Sequence, residues 1–136
     1  EPYRKYFCAL DEGEYREGAV LLFISGKRPT RTLPLERTRF MFLDGTIRDL
    51  GVEKPTTLVP VVSDHYIRYF TWRGKGEMPA DERLKMKEIL DRAHGEHKLF
   101  RWWGAPEKPA VKKLFLEMGV DLIGTDNLKK LSKLLE

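Results

Sequence analysis

The sequence predicts an α/β fold built on a parallel sheet, and three observations carry that prediction. Five apolar runs stand out: "AVLLFISG" (19–26), "RFMFLDG" (39–45), "TLVPVVSD" (57–64), "KLFRWWG" (98–104) and "VDLIGTD" (120–126). They are apolar on consecutive positions instead of alternating, which is how strands covered on both faces read. Each run closes on a small or polar group: Ser25-Gly26, Asp44-Gly45, Ser63-Asp64, Trp103-Gly104 and Thr125-Asp126. Helix signals stand between the later runs, so the pattern is strand, loop, helix, repeated.

Taken in order, the connections 27–38 and 46–56 hold Pro29, Pro34 and Pro55 and leave room for a turn or two of helix at most. Residues 65–80, "HYIRYFTWRGKGEMPA", form the longest irregular stretch, aromatic and basic. "PADERLKMKEILDRAHGEHK" places acids in a first helical turn and Met86, Ile89, Leu90 and Ala93 on one face, with Gly95 as the expected stop. "EKPAVKKLFLEMG" sets Pro109 near a helix start, a stripe of Val111, Leu114, Phe115 and Met118, and Gly119 at the C-terminal cap. In "NLKKLSKLL" the leucines 128, 131, 134 and 135 recur at helical spacing, with Asp126 or Asn127 able to cap the N-terminus.

At 136 residues the chain has the size of one ordinary domain. No run approaches the roughly 18 apolar residues of a membrane helix. The net charge of +4 comes from Lys and Arg spread among acids, without a block of like charge, so no dedicated nucleic-acid surface is expected. The single Cys8 excludes an internal disulfide and a CxxC metal knuckle. The three histidines, His65, His94 and His97, lack metal-ligand spacing. The opening "EPYRKY" has neither Met nor signal peptide, so the expectation is a removed leader or a piece of something longer.

A parallel sheet places its ligand site at the carboxyl ends of its strands. Ser25, Asp44, Ser63, Asp64, Trp103 and Asp126 would then share one rim. Each has a plainer reading. Asp126 can serve as a helix N-cap, and Asp44-Gly45 and Ser25-Gly26 can be simple turns. Trp103 can be core, with Trp102 facing the opposite side toward a helix. Arg101 sits among aromatics and, if buried, must be paired. His65 reads first as a loop residue and second as an acid or base. His94 and His97 suit a helix C-terminus and are given no role.

"VLLFISGKRP", "FMFLDGTIRDL", "VPVVSD", "FTWRGKGEMPADER" and "FRWWGAPEKPAVKKLFLEMGVDLIGTDNL" resemble, in order, the C-terminal half of the phospholipase C-like phosphodiesterases. These are the glycerophosphodiester phosphodiesterases and phosphatidylinositol-specific phospholipases C. The resemblance spans nearly the whole chain and is most specific in the last segment. It implies that residues 1–136 are the five C-terminal βα units, about strands four to eight, of a TIM-type (β/α)₈ barrel. A closed barrel takes roughly 250 residues, and five strands alone leave two open edges.

The resemblance also implies a function, phosphodiester hydrolysis by general acid–base chemistry with a divalent cation, calcium or magnesium, in the intact parent. The catalytic histidines and acidic metal ligands of the family lie on its first strands, which nothing here matches. This chain is therefore expected to be inactive alone, to bind no metal, and to supply pocket wall. Its partners would be the missing N-terminal half and a small phosphodiester or lipid headgroup. The candidate substrate contacts are then Asp126, Trp103, Arg101, Asp64, Ser25 and Asp44, with Trp72 and Arg73 in a loop that is either a lid hinged on Gly74 and Gly76 or an aromatic loop packed against the barrel. A secreted or periplasmic parent follows by resemblance alone. Two rival readings remain: a non-catalytic binding module that lost its metal site, and a self-standing α/β domain sharing only architecture.

Overall fold

The computed structural model describes residues 2–136. After a 3₁₀ turn at Arg4–Tyr6, β1 (Ala9–Asp11) and β2 (Glu14–Arg16) form an antiparallel hairpin. The sequence reading passed over this hairpin. Its turn holds Glu12 at φ 48° and Gly13 at φ 91°, the paired positive φ angles of a tight hairpin turn. Glutamate is an uncommon residue for the first of those positions, so the local signal is weak.

The five apolar runs each yield a strand: β3 (Phe23–Ile24), β4 (Phe42–Gly45), β5 (Val61–His65), β6 (Leu99–Trp103) and β7 (Leu122–Ile123). They form one parallel sheet in chain order, β3-β4-β5-β6-β7. The structure is thus α/β with a five-stranded parallel sheet and flanking helices. The strands at the two edges are only two residues long. At the β3 end, Phe7 bridges Val20 in parallel, a single pairing beyond the sheet proper.

The early connections hold 3₁₀ turns, Leu33–Leu35 and Ile47–Asp49, where proline allowed little more. The stretch after β5, expected to be wholly irregular, opens with one helical turn, α1 (Tyr66–Tyr69). Helices α2 (Ala80–Gly95), α3 (Pro109–Met118) and α4 (Leu128–Leu135) follow. Pro109 and Gly119 sit at the start and C-cap of α3 as predicted, and α2 ends on Gly95, the expected stop, with Glu96 as its C-cap. Asn127, and not Asp126, caps α4: its side chain accepts the Lys130 N–H at 3.0 Å. Among the described residues no helix is long and apolar enough to cross a membrane.

The core lies between the sheet and α2 and α3. Leu43, Val62, Phe100 and Trp102 project from one sheet face and pack with Tyr66, Phe70, Leu90, Val111 and Phe115. Trp102 is 2% exposed and meets Tyr66 and Phe70 edge-on. Full burial of such side chains contributes about 1.5–3 kcal/mol each. Strand alternation sends their neighbours Asp44, Ser63, Arg101 and Trp103 to the other face. At the lower end of that face Phe42 and Val61 are fully buried, and the hairpin's Tyr15 ring meets Phe42 at 6.1 Å. Toward the carboxyl ends the face is open, and Trp103 is 45% exposed.

Candidate functional site

The open face carries a polar network across three adjacent strands. Ser63 of β5 and Arg101 of β6 are register partners, and Asp44 of β4 reaches both. The Ser63 hydroxyl donates to Asp44 Oδ1 at 2.6 Å. Arg101 donates through Nε to Ser63 Oγ at 3.1 Å and through a terminal nitrogen to Asp44 Oδ2 at 3.2 Å. Both carboxylate oxygens of Asp44 are thereby engaged, in a side chain 4% exposed. Arg101 is different, because its side chain keeps 30% of its exposure. A planar guanidinium fixed on one edge retains donors on the other, which suits it to an oxyanion.

A second basic group supports the same wall. Arg28 donates to the Asp44 carbonyl and, at 3.2 Å, to Asp49 Oδ2. Burial alone would raise the Asp49 carboxyl. Lys54, the Thr46 backbone N–H at 2.7 Å and Arg28 together outweigh it and bring the group down to about 2. Asp49 thus stays ionised and anchors Arg28 beside the strand ends.

Above the network, His65 closes β5 opposite Trp103 on β6, with the two rings stacked at 4.1 Å and 9°. Next to them a cleft of ≈ 220 Å³ is lined by Arg101, Trp103, Gly104, Glu107, Lys112 and Asp126, among others. Its far wall is tied together. Lys112, 5% exposed, donates to the Gly124 carbonyl at 2.6 Å and pairs with Glu107 at 3.2 Å. The Thr125 hydroxyl on Glu107 comes first among the causes that hold that carboxyl below its usual range, and Lys112 adds to it. Asp126, spared from capping by Asn127, is exposed at the cleft.

Of the residues singled out in the sequence, the structure brings Arg101, Asp44, Trp103 and Asp126 together. The other four stand apart. Asp64 alternates to the helical side, where it accepts the Tyr69 hydroxyl at 3.0 Å and the Ile47 N–H at 3.3 Å. Ser25 is exposed just past β3 and joins none of these bonds. Trp72 is 9% exposed within the helical core, and its backbone N–H, with that of Thr71, is held by Glu82 of α2. Arg73 folds back onto the carbonyls of Phe70 and Trp72. The 70–76 loop is thus pinned to α2 and α3 and does not overhang the rim. The sequence reading missed Arg28 and Lys112, whose signal is only a basic residue beside a strand end.

Among the described residues no group of three His, Cys, Asp or Glu side chains converges as a metal site requires. Each carboxylate oxygen of Asp44 is already engaged by Ser63 or Arg101. Comparison with family models, with curated proteins and with solved structures gives no match.

Proposed function

We propose that this chain is the pocket-wall portion of a phospholipase C-like phosphodiesterase, acting on a glycerophosphodiester or a phosphoinositide-type substrate. The observation that carries the reading is Arg101, held by Asp44 and Ser63 and half open to a cleft at the carboxyl ends of a parallel sheet. A singly charged phosphodiester meets the free edge of that guanidinium, the substrate headgroup lies against the exposed Trp103 ring, and Asp126 accepts from headgroup hydroxyls.

In this reading β3–β7 are strands four to eight of a (β/α)₈ barrel. Sequential parallel order with the helices on one face supports it, because a doubly wound sheet reverses its order and places helices on both faces. The preceding half of the barrel would supply the acid–base pair and hold calcium or magnesium. No step through a metal is assigned to this chain.

The test is hydrolysis of a chromogenic phosphodiester by the full-length protein. Arg101→Gln is expected to lower kcat/KM by about 10–100-fold, the loss of one charge-assisted hydrogen-bonding group, with the thermal midpoint recorded alongside to separate misfolding. An unchanged kcat/KM in a folded variant overturns the assignment.

A further inference from the structure

The His65–Trp103 stack belongs to no hydrogen-bonded network described above, and its Trp103 ring lines the cleft that Arg101 also lines. We propose that His65 is a second, titratable phosphate contact, so that anion binding in this cleft is governed by one imidazole; this rests on the phosphodiester reading of Arg101.

Position comes first. In the β5–β6 register Ser63 faces Arg101 and His65 faces Trp103. His65 therefore lies on the open face, one side-chain repeat (about 6–7 Å) nearer the rim than Arg101. The ring is held in place. It stacks on Trp103 at 4.1 Å, and Gly104 at φ 64° packs against its edge. A Cβ at Gly104 would lie 2.3 Å from both Cδ2 and Nε2 of His65. Yet the ring is chemically idle: among the described residues neither of its nitrogens has a hydrogen-bond partner, and only its backbone N–H is used, by Asp64 Oδ1 at 2.8 Å. A fixed imidazole whose ring nitrogens make no hydrogen bond, one side-chain repeat from a partly exposed guanidinium, can meet an oxyanion.

Charge sets the sign. The cleft beside the Trp103 ring holds Arg101 and Lys112 as cations and Glu107 and Asp126 as anions, with Asp44 paired to Arg101. Asp64, which takes the His65 backbone N–H, is turned with Tyr69 to the helical side. Protonation makes both ring nitrogens donors and adds a positive charge. Anion affinity is thus greatest where the ring is protonated and declines as it loses that proton. A phosphodiester has no second ionisation near neutrality, so its own charge stays constant across this range.

The experiment is titration of the full-length protein with dimethyl phosphate from about pH 5 to about pH 8. For the wild type Kd is expected to rise about tenfold across that range. His65→Gln should bind at every pH as weakly as the wild type does at the top. Reciprocally, saturating dimethyl phosphate should raise the NMR titration midpoint of the His65 ring by about one pH unit, a readout that does not depend on the variant folding. If binding requires Arg101 but the His65 midpoint stays put and the variant keeps the wild-type pH slope, the His65 assignment falls and the phosphate reading stands. No binding at any pH overturns both.

Discussion

Arg101 and Asp49 show how single residues on this scaffold are committed or left free. Asp44 spends both oxygens holding Arg101 and Ser63, so its work is orientation. Asp49 does the same for Arg28 and the Ile47–Asp49 turn. Because the folded carboxyl is lowered to about 2 against an ordinary value of about 3.9, its stabilisation is fully present above about pH 4. It is lost as pH falls through 2. Urea unfolding of wild type and Asp49→Asn should differ by on the order of 2 kcal/mol at neutral pH, a gap that closes in that acid window. A gap independent of pH would show that the carboxylate charge is not what Asp49 contributes.

At the scale of elements, the segment between β5 and α2 behaves as part of the core. Glu82, in the first turn of α2, accepts the Thr71 N–H at 2.8 Å, the Trp72 N–H at 3.1 Å and the Thr71 hydroxyl at 2.5 Å. Its carboxyl sits below the usual range, because these bonds and Arg73 outweigh the opposing effect of burial. Glu82→Ala removes every one of these acceptors at once. The amides of Thr71 and Trp72 should then lose hydrogen-exchange protection by about tenfold or more, while strands β5 and β6 keep theirs. Equal protection in the variant would mean that burial of Trp72 alone holds the loop.

For the whole molecule the governing fact is a sheet with helices on one face, a second face that is polar and open only toward the carboxyl ends, and two short edges. Unpaired edge backbone is a liability that a closed barrel removes. If β3–β7 are barrel strands, the outward N–H groups of β3 and β7 should be strongly protected from exchange in the full-length protein and exposed in residues 1–136 alone. Equal exchange in the two would count against closure.

The sequence by itself determined the five strand segments, because short runs of consecutive apolar residues closed by small or polar groups need no partner to be recognised. It also determined α3, whose Pro109 and Gly119 bracket an apolar stripe by local rules. The carboxyl-end rim followed from parallel order alone. What the tertiary structure decided was membership and direction. Asp64 and Ser63 are adjacent in sequence, yet alternation sends one to Tyr69 and the other to Arg101. Only the register fixes which. Trp72 and Trp103 each read either as a substrate contact or as packed core, but Glu82 holds the first in the core while the second caps an open strand end. His65 passed for a loop residue because its meaning lies in a partner 38 positions away across a strand pair, and local propensity carries no information about such distant pairings.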